Sequence, residues 1–359
     1  MPLTVGLDVR AAVRDPYRGL GRVARSLLHA LARCGDLHLV AFRPPDAASL
    51  PLPPGIEAAT LPAPRRGAFL LDGVAWRIAL ARRPVDVLHL PAWGVPPGLP
   101  VPVVATLHDV TPIRYPESIP GRWTRRRAVR GLRSLHRATL VHAVSRATAR
   151  DAVRVLGLPP RRVRTVPNGT DPPPGKAGGR REHVLYVGGA DPHKRVAMLA
   201  ALWSGPEAAG LPPLVVAGAA AHSPAVTAAA ERAPGRVVPA GTVDDDRLEQ
   251  LYAGALAVLL PSLWEGFGLP ALEGMRHGAI PVLTARAALP EAGGDAALYV
   301  PATAPPAAWT DAVSRLVTDP GLAARLRRAA LRRAATSGWD RTADGLARVY
   351  REAATRSSI

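Results

Sequence analysis

With 359 residues, the chain is long enough for two domains at roughly 100–200 residues each, and 48% hydrophobic against 21% charged residues excludes a disordered chain. The formal net charge of +18 comes from 44 Arg and two Lys, Lys176 and Lys194, against 28 acidic residues. The Arg residues run from Arg10 to Arg356 without zinc-finger spacing or an RNA-recognition signature, so a chain-wide Arg bias explains the charge better than a nucleic-acid surface, and no nucleic-acid partner is expected. A single cysteine, Cys34, excludes an internal disulfide framework and suits a reducing cytoplasm. The first residues lack the charged-then-apolar order of a signal peptide. The longest apolar run, Leu251 to Trp264, is broken by Gly254, Pro261 and Ser262 and is too short to span a membrane.

In chain order, short apolar runs predict strands at Thr4–Val9, Leu37–Phe42, Val85–Leu90, Val103–Leu107 and Leu140–Val144, with helices at Gly21–Arg33 and Ser145–Leu156. The Pro- and Gly-rich stretch from Asn168 to Arg181 reads as a linker over 171–182 that divides a first domain, 1–170, from a second, 183–340. Strands follow at His183–Val187, Leu214–Ala217, Val237–Pro239, Ala257–Leu260 and Ile280–Leu283. After Thr310 the pattern is helical, ending in a helix at about Thr342 to Glu352. Strands alternating with helices predict an α/β protein of two doubly wound Rossmann-like domains facing each other across a cleft, with ligands outside the carboxyl ends of the strands.

Five segments carry candidate chemistry. Arg18-Gly-Leu-Gly-Arg22 opens a helix, where Gly19 and Gly21 either let amides approach an anion or form a plain turn. In Val187-Gly-Gly-Ala-Asp-Pro-His-Lys194-Arg195, a lysine stands at a positive helix end in a chain that almost never uses lysine. It is either an anion ligand or a solvated surface residue. Pro261-Ser-Leu-Trp-Glu265-Gly266-Phe267-Gly268-Leu269-Pro270-Ala-Leu-Glu273 sets Glu265 in a loop, Pro270 at the first helical position and Glu273 in the first helical turn. Its carboxylates suit vicinal sugar hydroxyls; the blander reading of Glu273 alone is a dipole-compensating acid. His108, at the end of a strand, is either a ligand-facing acid or base or a structural histidine. Gly121–Arg137 holds seven Arg among seventeen residues, with Trp123, Val129, Leu132 and Leu135. It is either a basic amphipathic helix for an anionic membrane surface or a solvated face.

Taken together, Gly19-Leu-Gly21-Arg22, His108-Asp-Val-Thr-Pro, Ala143-Val-Ser145-Arg146, Pro167-Asn-Gly169, Tyr186-Val-Gly188 with Lys194, Gly241-Thr242-Val243 and the Glu265 to Glu273 spacing resemble the family 4 retaining glycosyltransferases of the GT-B fold. The resemblance covers nearly the whole chain. It implies transfer of a hexose from a nucleotide diphosphate sugar, GDP-mannose or a UDP-hexose, to an acceptor hydroxyl or amine, with retention, no divalent metal and no cofactor. It also implies that Glu273 binds the ribose hydroxyls, and that Glu265 with the Gly266–Leu269 backbone binds the hexose. Lys194, Arg195 or Arg22, Gly188, Gly189 and the Gly19–Gly21 loop would meet the diphosphate, Thr242 and Val243 the base, and His108 the reacting centre. The family's Arg beside the strand-following Gly is absent, since position 189 is Gly. The last helix, within 341–359, is expected to cross back onto the first domain. No residue reads the acceptor, for which a lipid-linked glycan and a small natural product both stay open; the location expected is cytoplasmic, and the basic segment 121–137 leaves peripheral contact at the inner face of the membrane open. A nucleotide-sugar epimerase or hydrolase on the same fold, and a polyanion-binding protein, stay open as alternatives.

Overall fold

The computed structural model describes residues 2–14, 19–45, 50–61, 69–92, 94–172 and 181–356. The chain divides into two compact units, one of Met1–Gly169 with Trp339–Ile359, the other of Thr170–Gly338. Most of the expected linker, with Lys176, lies outside the described residues, as does Arg18.

In the first unit, β1 (Leu3–Asp8), β2 (Leu37–Arg43), β3 (Glu57–Thr60), β4 (Val87–Leu90), β5 (Val103–Leu107), β6 (Leu140–Ala143) and β7 (Val163–Thr165) form one parallel sheet in the order 3-2-1-4-5-6-7. The order reverses between β1 and β4, which pair with Val5 opposite Val87. Side chains alternate between the two faces along each strand, so Leu88, Leu90, Val103, Ala105 and Val141 enter one core with Trp76 and Phe42, whose rings meet edge to face at 5.0 Å. His89, Thr106 and His142, the intervening residues, lie on the other face. The helix Gly19–Leu31 begins two residues before the expected start; it buries Val23, Ala24, Leu27, Leu28 and Leu31, the stripe that helical periodicity requires.

The last helix, Trp339–Arg356, packs across β4, β5 and β6 of this unit and is longer at both ends than its apolar pattern suggested. Ion pairs from Arg33 to Asp340, Arg164 to Glu352 and Arg351 to Asp36 hold its rim. Its interior contact is a polar chain. His142 Nε2 lies 2.7 Å from the Val166 carbonyl, which can only accept, so Nε2 carries the hydrogen and Nδ1 accepts from Thr106 Oγ1 at 3.0 Å. Thr106 then accepts from His89 Nε2 at 2.8 Å, and His89 Nδ1 accepts from Tyr350 Oη at 2.7 Å. Burial keeps both imidazoles neutral, with His142 pushed down to about 4 and His89 well below its usual value.

The second unit is a parallel sheet of β8 (His183–Val187), β9 (Leu214–Ala217), β10 (Val237–Gly241), β11 (Ala255–Leu260), β12 (Ile280–Thr284) and β13 (Leu298–Val300), in the order 10-9-8-11-12-13. Here too alternation splits the apolar runs between two cores. Val184, Tyr186, Leu214, Val216, Ala257 and Leu259 pack with Trp203 and Trp309, while Leu185, Val215, Val258 and Leu260 pack with Tyr252 and Leu289. The order reverses between β8 and β11, so the loops after these two strands flank the switch point of the sheet.

Candidate functional site

The loop after β8 starts with Gly188 and Gly189. Gly188 donates to the Ala217 carbonyl at 3.1 Å and accepts from Ala220 at 3.0 Å, which draws the β8 and β9 loops together. Gly218, on the β9 side, has φ of +89°, and a Cβ there would lie 2.9 Å from the Gly188 oxygen, so only glycine fits. Gly218 in turn donates to Gly241 at the end of β10. Tyr186 Oη donates to the Gly189 carbonyl at 2.6 Å and fixes that turn.

A short 3-10 turn, Pro192–Lys194, follows, and Arg195 caps the helix Val196–Ser204 with a left-handed backbone, φ +54°. Lys194 therefore sits just before the helix. The Arg195 side chain donates to Met198 Sδ at 3.1 Å on its own helix.

The loop after β11 is tied to this one by the Leu263 amide, which donates to the His193 carbonyl at 2.8 Å. Lys194 Nζ stands 3.4 Å from Glu265 Oε1, and the same oxygen accepts from Ser262 Oγ at 2.8 Å. The carboxylate at this distance holds the Lys194 ammonium well above its usual range, overcoming the opposing effect of burial. Gly266 is buried, and Phe267 packs against the cluster that contains Leu272, Met275 and Ala330. Gly268, with φ of +98°, caps the helix Leu269–Arg276; a Cβ there would meet Leu289 at 2.8 Å. Leu269 is the first helical residue and Pro270 the second, one step later than the sequence suggested. Glu273 is thus the fifth helical residue, beyond the first turn, because the helix begins as soon as Gly268 releases the chain. That position weakens the dipole-compensation reading, whose effect fades past the first turn. Glu273 is buried and accepts from Tyr252 Oη at 2.7 Å. Thr242 is exposed and Val243 half-buried, between Gly241 and Asp244, which caps the helix Asp245–Gly254 through the Arg247 amide.

Lys194, Glu265, Gly188 and Gly189 are thus gathered at the switch point of the second unit, with Gly241 linked through Gly218. Gly19, Gly21, Arg22 and His108 belong to the first unit. Gly19 and Gly21 form the first turn of a helix, not a loop. His108 follows β5, is buried, and donates from Nε2 to the Pro91 carbonyl at 2.7 Å. Burial lowers its pKa against that bond and Asp109, so the neutral ring keeps the Nδ1 lone pair. In the same unit, Arg10 pairs with Asp8 at 2.8 Å and Asp72 at 2.7 Å and lies over Trp76. The sequence gives no role to this cluster, nor to Ser262, Gly218 and Tyr252, and Tyr186 stands out in it only as part of a motif. Tyr252 and Asp72 meet partners on other elements far along the chain, whereas Ser262 and Arg10 each have a partner within three residues. Among the described residues, no three His, Cys, Asp or Glu gather as a metal site.

Residues 17–173 match the model of Glycosyltransferase Family 4, and residues 181–319 that of Glycosyl transferases group 1. The chain is 31% identical over 318 residues to a D-inositol 3-phosphate glycosyltransferase of Acidothermus cellulolyticus, covering 79% of this chain and 66% of that protein. It spans two thirds or less of the length of the curated relatives it matches. Among solved structures, sucrose-phosphate synthase from Thermosynechococcus elongatus superposes with a TM-score of 0.77 at 21% identity, over 98% of each chain. Anabaena Alr3699/HepE, solved in complex with UDP and glucose, gives 0.70 at 16% identity over 97% and 99% of the two chains. These neighbours show the GT-B fold, with its two parallel-sheet α/β domains.

Proposed function

Because the chain belongs to the glycosyltransferases, with a family 4 portion followed by a group 1 portion on the GT-B fold, we propose that it moves a hexose from GDP-mannose or a UDP-hexose to an acceptor hydroxyl or amine, with retention and without a metal. The observation that carries this reading is the Lys194–Glu265 pair beside the start of the helix Leu269–Arg276. Departure of a nucleoside diphosphate builds negative charge, and a cation held protonated in a half-buried loop, with helix amides next to it, stabilises that charge without reorganising.

In this reading Lys194, with Gly188 and Gly189, takes the diphosphate, and Arg195 supplies a second cation. Glu265 and the backbone of Gly266 to Leu269 take the hexose hydroxyls, Glu273 the ribose, and Thr242 with Val243 borders the base. For the first unit the proposal carries over the roles that the resemblance implies: Gly19, Gly21 and Arg22 on the diphosphate, His108 at the reacting centre.

The test is a panel of nucleotide sugars read first by thermal shift, since a ligand that binds only the folded state raises the melting temperature. The donor that shifts it is then incubated with and without candidate acceptors. Consumption of donor that needs an acceptor supports transfer, whereas equal consumption without one would assign the chain to the hydrolases or epimerases. The anomeric configuration of the product and activity in a chelator settle retention and metal independence.

A lipid-linked glycan is the proposed acceptor class, met at an anionic membrane surface. The helix Arg122–Ser134 favours this: Arg122, Arg125, Arg126, Arg127, Arg130 and Arg133 are all exposed, and no carboxylate pairs with them among the described residues. Trp123, 72% exposed, is flanked by the guanidiniums of Arg122 and Arg126 at 5.3 and 5.4 Å. An amphipathic ring amid cations suits the headgroup region of a bilayer.

A further inference from the structure

We propose that Tyr252 is a positioning residue that sets the plane of the Glu273 carboxylate and so determines whether the protein prefers ribonucleotides; the inference rests on the ribose role proposed for Glu273. Tyr252 is fully buried near the end of the helix Asp245–Gly254, and its hydroxyl donates to Glu273 Oε2 at 2.7 Å on the neighbouring helix. Its ring lies parallel to His277, with centroids 6.0 Å apart and 11° between the planes. One turn earlier on the same helix face, Glu249 accepts from Arg276 Nη1 at 2.9 Å and from His277 Nε2 at 2.7 Å. Two residues of one helix therefore grip Glu273 and Arg276 of the next and His277, which ends it.

A buried carboxylate has two oxygens and a soft terminal torsion, so its orientation is set by its donors. Paired acceptance from two vicinal hydroxyls needs both oxygens in one fixed plane. The Tyr252 hydroxyl supplies that constraint from the protein side. Removing it leaves Glu273 in place but takes away the donor at Oε2 that sets its carboxylate for the diol.

The experiment measures affinities of UDP and GDP, and of their 2′-deoxy forms, by calorimetry on the wild type, Tyr252→Phe, Glu273→Gln and the double variant. The wild type is expected to favour the better ribonucleotide about tenfold or more over its deoxy form, as a hydrogen bond to a charged group allows. Tyr252→Phe, whose ring still stacks on His277, is expected to lose most of that ratio while binding the deoxy form as before. In the Glu273→Gln background the same change has no further effect on the ratio. A ratio that survives in Tyr252→Phe but falls in Glu273→Gln overturns the inference and leaves the ribose reading intact. Equal weakening of both forms by Tyr252→Phe also overturns it, since that is the mark of a purely structural role. Absence of discrimination in the wild type overturns the ribose reading itself.

Discussion

Tyr350 and His89 are 261 residues apart in sequence, yet the tyrosine hydroxyl lies 2.7 Å from His89 Nδ1 inside the first unit. The pair ends a chain of donors that runs through Thr106 and His142 to the Val166 carbonyl, and each group in it has one orientation. Tyr350→Phe strips the acceptor of its donor without changing the packing. An unpaired buried acceptor costs about 1–3 kcal/mol, to be read from urea unfolding at pH 7. No change would mean that water reaches His89.

The same chain predicts acid sensitivity. His142 is lowered to about 4 when folded, from a usual value of 6.5, so between these values the unfolded state binds more protons. Its contribution is complete above pH 6.5 and is lost as the pH falls toward 4; His89, lowered in the same direction, adds to the trend. Unfolding free energy measured from pH 4 to 8 should rise to about pH 6.5 and then flatten. His142→Gln should weaken the slope, and an unchanged slope would locate the sensitivity elsewhere.

At the second sheet's switch point, Lys194→Ala should weaken nucleoside diphosphate binding about ten- to a hundredfold while affecting the free nucleoside little, since a charge-assisted bond to phosphate is removed. Calorimetry with UDP, GDP, uridine and guanosine separates the two. Parallel losses on nucleosides would place the lysine away from the phosphates.

His108→Ala should reduce turnover more than donor affinity, because a group acting at the reacting centre contributes in the transition state. Steady-state kinetics on the donor identified by the panel decide this. A rise in KM with kcat preserved would leave the histidine a structural part of the β5 end, bound to Pro91.

For the exposed helix, Trp123→Ala combined with Arg126→Ser should lower co-sedimentation with anionic phospholipid vesicles severalfold at low salt and leave the melting temperature within about a degree, as surface changes typically do. Equal sedimentation of wild type and variant would remove the membrane reading of this face.

The central strands were legible because both of their faces are covered, and a strand buried on both faces reads as a continuous apolar run. β8, with Val184, Leu185 and Tyr186 all buried, is such a case. The strands that went unread are β3, β7 and β13. Each lies at a sheet edge, and Glu57-Ala-Ala-Thr60 leaves three of its four residues exposed, so its sequence has no reason to be apolar. At the site, the motif residues stood out through composition: one lysine among many arginines, and two glutamates around a pair of glycines. What stayed hidden was whatever depends on a partner from another element. Tyr252 precedes Glu273 by 21 residues in an unremarkable helix, and only the packing of two helices reveals their bond. The start of that helix was misplaced by one residue because Pro270 suits the first position as well as the second.

The first unit is completed by the last residues of the chain, Trp339 onward, after the whole second unit has been spelled out. A ribosome therefore delivers seven strands of the first sheet long before it delivers Tyr350. Until then the face of β4, β5 and β6 that carries His89 lacks the helix that covers it in the finished structure. Ending translation at Gly338 would leave a second unit with all six of its strands and a first unit with a wet histidine where its core should close. Closure of the first unit thus reports, within a single chain, that the second has already been made.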